Sequence, residues 1–122
     1  MKTILLIEDE SALQKTIGDA LGQEEFSVLS ALDGEAGLRL AQDKLPDVIL
    51  LDLILPKANG FDVLKSLKEQ ETTKNIPVVV LTNLESMEDI QKALDLGAMT
   101  YLVKSNYTLQ EVVEKIKAAL GE

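Results

Sequence analysis

The stretch VILLDL, Val48 to Leu53, decides how this chain reads. Four apolar residues follow one another and then meet a carboxylate, Asp52. A short, nearly continuous apolar run suits a parallel strand covered by helices on both faces. Pro46 stands just ahead of it and ends any helix arriving from the N-terminal side. Working outward, three more runs have the same form. ILLIEDE (Ile4–Glu10) hands over to Glu8 and Asp9, VVVLTN (Val78–Asn83) to Thr82, and TYLVKS (Thr100–Ser105) to Lys104.

Helical patterns fill the intervals. Ser11 is expected to cap a helix with Gln14 as its capping-box partner, and Leu13, Ile17 and Leu21 mark its buried face up to Gly22. Phe26–Ser30 reads as a second strand. Asp33-Gly34 opens a second helix with Ala36, Leu40 and Ala41 inward. Val48–Leu51 is the third strand. Asp52 to Gly60 reads as a loop with Pro56 and an Asn59-Gly60 turn signal. Phe61, Leu64 and Leu67 then repeat as in a third helix. Pro77 precedes the fourth strand, Val78–Leu81. Ser86 is expected to cap a fourth helix carrying Met87, Ile90 and Leu94, ended by Gly97 in a left-handed conformation. Met99–Val103 is the fifth strand. Thr108 and Glu111 form a capping box for a last helix with Leu109, Val112, Val113, Ile116 and Leu120 on one side. The result is an α/β chain, (βα)5, with right-handed crossovers and one domain over residues 1–122.

Composition narrows the function. The chain has 122 residues, 46% of them apolar, and a formal net charge of −9. With no cysteine there is no disulfide and no thiolate chemistry; with no histidine there is no histidine base, metal ligand or phosphohistidine on this chain. An acidic chain with no basic patch is not expected to bind nucleic acid directly. No apolar run reaches membrane-spanning length, and Glu8 and Asp9 arrive too early for a signal peptide, so a cytoplasmic protein with no membrane association is expected.

Ligands of open parallel sheets sit beyond the carboxyl ends of the strands. If the first and third strands are neighbours, Glu8, Asp9 and Asp52 converge there. Crowded carboxylates raise one another's pKa, and a hard cation is the simplest compensation. Oxygen ligands without histidine or cysteine suit Mg²⁺, with Mn²⁺ as a substitute. Each residue also has an ordinary reading: acids at strand ends solvate loops, Asp52 could cap a turn, Thr82 is at home in a strand, and Lys104 could be solvated. Their joint placement after strands one, three, four and five favours a phosphoryl site. Asp52 is then the nucleophile, and Lys104 and the Thr82 hydroxyl neutralise the phosphoryl oxygens. The added charge would draw Thr82 inward as an electrostatic switch.

With these residues placed, nearly the whole chain resembles the receiver domains of two-component response regulators, the stand-alone chemotaxis type in particular. The resemblance rests on Glu8-Asp9, Asp52 followed by Pro56 and Gly60, Thr82 and Lys104. It implies a flavodoxin-like doubly wound sheet of order 2-1-3-4-5. It implies that Asp52 is the phosphoacceptor, supplied by a histidine kinase or phosphotransfer protein. Asp9, Asp52 and the main-chain carbonyl of Ile54 would ligate Mg²⁺, with Glu8 acting largely through water. Thr82 would be the switch hydroxyl and Tyr101 the switch aromatic. A downstream protein would be met at the fourth helix, fifth strand and fifth helix. The implied protein is a monomer, with dimerisation on phosphorylation as an alternative. It is a switch that loses its phosphoryl group slowly to water rather than a dedicated enzyme.

Three positions depart from that pattern. Asn83 stands where a small residue is usual, and is expected to alter the phosphoryl lifetime. Ser105 stands where proline, often cis, is usual, so a trans bond or a rearranged loop is expected. Tyr107 is expected to cover the start of the last helix. Two other readings keep the fold: a binding module that does not need phosphorylation, and the receiver half of a longer DNA-binding regulator. A small Mg²⁺ phosphatase is disfavoured, because Ile54 stands where a second acid is needed. A dinucleotide fold is disfavoured too, because ILLIEDE lacks the glycine fingerprint.

Overall fold

The computed structural model describes all residues, 1–122. Its elements are β1 (Thr3–Ile7), α1 (Ser11–Gln23), β2 (Ser27–Ala31), α2 (Gly34–Lys44), β3 (Val48–Leu51), α3 (Gly60–Glu69), β4 (Val78–Thr82), α4 (Met87–Asp95), β5 (Thr100–Val103) and α5 (Leu109–Ala119). The five strands form one parallel sheet in the order β2-β1-β3-β4-β5. This is the flavodoxin-like order expected from the sequence. The order reverses at β1 and β3, and the site lies there.

Strand alternation makes the two cores. Leu5, Ile7, Ile49, Leu51, Val78 and Val80 point to one face and pack with Ala41 of α2, Leu64 and Leu67 of α3 and Ala93 of α4. Ile4, Leu6, Val48, Leu50, Val79, Leu81 and Leu102 point to the other face and pack with Ile17 and Leu21 of α1 and Val112, Val113 and Ile116 of α5. A period of two sends successive residues to opposite faces, and with helices on both sides every position of β3 and β4, and all of β1 after Thr3, is buried. That is why β1, β3 and β4 are apolar runs and not alternating patterns.

The helices begin largely as their sequences predict. Asp33 accepts from Ala36 N–H, Ser86 from Asp89 N–H, and Thr108 and Glu111 complete a capping box. Gly97 has φ +109°, where a side chain is strained, and it follows α4 as expected.

Several expectations differ. β2 begins at Ser27, β4 reaches Thr82, and β5 begins at Thr100. Ser11 is the first residue of α1 and not its cap; extended Glu10 holds the cap position without a side-chain bond. Gln14 is no capping partner either. Its Nε2 donates to the carbonyls of Glu8 and Ala31, tying together the ends of β1 and β2. Two buried-edge carbonyls from the sheet are better partners than an exposed helix end. Asn59-Gly60 is a helix start: Asn59 accepts from Phe61 N–H.

The largest difference is α4. Met87 is 79% exposed and Leu94 41%, while Ala93 is its buried residue. The helix lies beside edge strand β5, so the sheet covers only a narrow stripe of it. Lys92 adds a contact at the side, its ammonium 4.4 Å from the centre of the Phe61 ring.

Candidate functional site

The site is built at the carboxyl ends of β1, β3 and β5. Ile7 and Leu51 are register partners, and Asp52 N–H donates to the Ile7 carbonyl at 3.0 Å. The residues that follow, Glu8, Asp9 and Asp52, therefore leave the sheet side by side. One oxygen from each of these three carboxylates lies within 4.8 Å of the other two. Glu8 and Asp52 are buried, and Asp9 is exposed at the rim.

Gly60 seats the loop after Asp52. A Cβ there would lie 2.3 Å from Leu53 Cα and 2.7 Å from the Asp52 carbonyl oxygen. Only glycine lets α3 start against this backbone, and Gly60 N–H donates to the Leu53 carbonyl. The Ile54 N–H in turn donates to Asp52 Oδ1 at 3.1 Å, which fixes the carboxylate.

Lys104 enters from the end of β5. Its Nζ lies 2.8 Å from Glu8 Oε1, 3.0 Å from Asp52 Oδ2 and 3.9 Å from Glu10 Oε1. Glu8 Oε2 accepts from Glu10 N–H at 3.0 Å. Burial pushes the Glu8 pKa up; the bonds from Lys104 and Glu10 N–H oppose this without cancelling it, and the Asp52 charge adds to it. Burial also acts to lower the Lys104 pKa, but its bonds to Glu8 and Asp52 outweigh that, and the net shift is upward. Both members of the pair therefore rise. The firmer direction is that of Lys104, an ammonium held charged among carboxylates.

An open cleft of about 280 Å³ gives access to these groups. Asp9, Glu10, Asp52, Ile54, Asn83 and Lys104 line it. The donors are all oxygens, and three carboxylates meet at one point, a set that suits a hard divalent cation. A fixed carboxylate beside an ammonium can also receive an anionic electrophile. A larger concavity of about 590 Å³ lies among Met1, Lys2, Glu24, Glu25 and Glu122, remote from this chemistry.

Thr82 does not line the cleft. It is fully buried, and its Oγ1 accepts a long 3.5 Å contact from Leu84 N–H. The Leu84 carbonyl accepts from Tyr101 Oη–H at 2.8 Å. Leu84 thus joins Thr82 to Tyr101. Burial, then the charges of Asp89 and Asp52, push the Tyr101 pKa up to about 12. The Lys104–Ser105 bond is trans, as all peptide bonds here are, and Lys104–Asn106 forms a single 3-10 turn. Ser105 is exposed and lies outside the cleft lining. Tyr107 packs on the α1–α5 core, covering the start of α5.

Sequence reasoning missed three contributors. In the sequence Glu10 only closes the run ILLIEDE, Gln14 reads as a capping partner, and Leu84 has no assigned part. For Glu10 a signal existed, since it directly follows the Glu8-Asp9 pair. For Leu84 there was none, because its role is played by its peptide group and not by its side chain.

Residues 4–117 match the family described as the response regulator receiver domain. The transcriptional regulatory protein CiaR of Streptococcus pneumoniae is 43% identical over 98% of this chain and 52% of its own length. The chain spans about half the length of this and similar curated relatives, transcriptional regulators by name. Among solved structures, the chemotaxis response regulator CheY4 of Vibrio cholerae is 28% identical with a TM-score of 0.91, covering 98% of this chain and 99% of that one. The receiver domain of a sensor histidine kinase from Pseudomonas aeruginosa PAO1, with a magnesium ion coordinated in its active site cleft, is 27% identical with a TM-score of 0.88. That match covers 99% of this chain and 98% of the other.

Proposed function

Because this chain belongs to the response regulator receiver family, we propose that it is a switch set by phosphorylation of Asp52 from a histidine kinase or phosphotransfer protein. One observation carries the reading: Asp52 is buried at the reversal of strand order, fixed by Ile54 N–H, and 3.0 Å from the Lys104 ammonium. In the transfer, an Asp52 oxygen bonds to phosphorus as the donor's N–P bond breaks, and the electron pair stays on the departing nitrogen.

Asp9, Asp52 and the Ile54 carbonyl would hold Mg²⁺, or Mn²⁺ in its place. Glu8 acts less directly, since Lys104 and Glu10 N–H already occupy its oxygens. A bound divalent cation supplies charge compensation to the phosphoryl oxygens. The magnesium in the cleft of the similar Pseudomonas domain supports this choice of ion.

Lys104 then exchanges part of its carboxylate contact for the phosphoryl group. Thr82 is held only by a long contact, so its hydroxyl is free to turn toward the new oxygens. Leu84 follows because its N–H contacts Thr82, and its carbonyl carries the movement to Tyr101. The exposed apolar residues of α4, Met87 and Leu94, lie on the expected output surface. Asn83, exposed at the cleft, is placed to alter access and phosphoryl lifetime.

The test is labelling with a small phosphodonor, with and without Mg²⁺, for the wild type and Asp52→Ala. Mg²⁺-dependent label that disappears in Asp52→Ala is expected. Label that persists in the variant, or a wild type that never labels, overturns the reading.

The relatives' length, with one of them named a DNA-binding transcriptional regulator, favours a second reading, as the receiver half of a DNA-binding regulator. Grafted in place of such a relative's own receiver, the unit should then confer phosphorylation-dependent DNA binding.

A further inference from the structure

Glu10 is the carboxylate of the cleft that no other group claims. It lines the opening, its side chain is 64% exposed, and its nearest cation is Lys104 at 3.9 Å. Lys104 has closer partners in Glu8 and Asp52. Four carboxylates, those of Glu8, Asp9, Glu10 and Asp52, therefore face one ammonium. A divalent cation would offset two of the remaining charges, and one carboxylate would still be in excess. By position that carboxylate is Glu10: it sits outside the buried pair, at the mouth through which a donor enters. Its main chain is held, because Glu10 N–H donates to Glu8 Oε2 and its carbonyl accepts from Gln14 N–H. Its side chain makes no capping bond to α1. The main chain anchors the residue at the opening, and the side-chain charge has no structural work to do.

We propose that Glu10 selects phosphodonors by the charge of the leaving group. The inference rests on the phosphoacceptor reading of Asp52. In transfer from phosphoramidate, the Asp52 O–P bond forms as the N–P bond breaks, and the already protonated nitrogen departs as ammonia with the electron pair. That nitrogen enters the mouth as a cation, which the Glu10 carboxylate attracts. In transfer from acetyl phosphate, the acyl O–P bond breaks and acetate departs with the electron pair. Negative charge then grows at the mouth, and Glu10 opposes it. A histidine donor belongs with the first class, because its leaving imidazole nitrogen carries no negative charge. The same residue thus favours a protein phosphohistidine over anionic acyl phosphates.

The experiment compares labelling rates of Asp52 by phosphoramidate and by acetyl phosphate, at saturating Mg²⁺, in the wild type, Glu10→Gln and Glu10→Lys. One unit charge in a solvated mouth, acting in opposite senses on the two donors, changes the ratio of their rates by about threefold. The phosphoramidate-to-acetyl-phosphate ratio should fall about threefold in Glu10→Gln and about tenfold in Glu10→Lys. Both differences should shrink when NaCl is raised to about 0.5 M, since exposed charges are screened at that strength. A change in packing would not respond to salt in this way. A ratio unchanged by either substitution overturns the inference and leaves the phosphoacceptor reading standing, as does a change in ratio that salt does not touch. A wild type that neither donor labels at Asp52 overturns the phosphoacceptor reading, and the selection with it.

Discussion

At the scale of single residues, the site is a balance between burial and charge, and Lys104 holds it. Removing one partner of a sheltered ion pair leaves the other uncompensated, at a cost of about 3 kcal/mol. In protein stripped of divalent cations, Lys104→Met should lower stability by about that amount in urea titration. Adding Glu8→Gln should recover a good part of it. A cost below about 1 kcal/mol would mean that the 2.8 Å Lys104–Glu8 contact contributes no more than a surface pair. Asn83 calls for a kinetic prediction. Its side chain stands in the cleft, so Asn83→Ala should speed labelling by small donors and change the decay of label after the donor is removed. Identical time courses for the two proteins would remove Asn83 from the kinetics. Much of this was legible beforehand: Glu8, Asp9, Asp52 and Lys104 could be picked out as polar residues ending apolar runs. Glu10 carries the same sequence signal as Glu8 and Asp9, and its separate place at the cleft opening is set only when the chain turns.

At the scale of elements, α4 differs most from its sequence pattern. Met87, Ile90 and Leu94 mark the helix by their spacing in the sequence, yet Ala93 is the residue the helix inserts. Periodicity reports that a helix has an apolar face; it does not report whether the neighbouring layer is wide enough to cover that face. Here the neighbour is edge strand β5. Leu94→Gln should then change stability by less than about 0.5 kcal/mol, whereas Ile116→Ala, in the α5 core, should cost about 3 kcal/mol. Chemical denaturation of the two variants compares them directly. Equal costs would place Leu94 in the core after all. The β4–α4 connection and β5 meet at the Tyr101–Leu84 hydrogen bond, which offers a pH readout. The Tyr101 phenol ionises at about 12 in the folded protein against an ordinary value of 10.0. A group raised in this way stabilises the fold below about pH 10 and loses that contribution as pH climbs through about 12. The chain has two tyrosines, so Tyr107→Phe isolates Tyr101. Tyrosinate absorbance in that variant should rise with a midpoint near 12. A midpoint near 10 would show that the phenol is neither sheltered from solvent nor close to the charges of Asp89 and Asp52.

At the scale of the whole molecule, an acidic chain gathers three carboxylates at one point, so cation binding should stabilise it. A ligand at 100 times its Kd adds about 2.7 kcal/mol to a fold that alone binds it. Thermal denaturation in MgCl₂ should therefore shift upward well beyond NaCl of equal ionic strength, and Asp9→Asn should lose most of the difference. The salt control matters because screening alone relieves a net charge of −9. A shift equal to that in NaCl would leave the cluster with no specific cation. The sequence by itself determined the order and type of the elements, since apolar runs, Pro46, Pro77 and the caps at Asp33, Ser86 and Thr108 act over a few residues. It also marked the strand ends where chemistry would lie. Only the tertiary structure decided which of those ends meet, that Gln14 ties β1 to β2, that Gly60 must admit the backbone after Asp52, and that Leu84 links Thr82 to Tyr101. These are contacts between segments far apart in the chain. Their energies depend on distance and burial, which no local pattern of residues encodes.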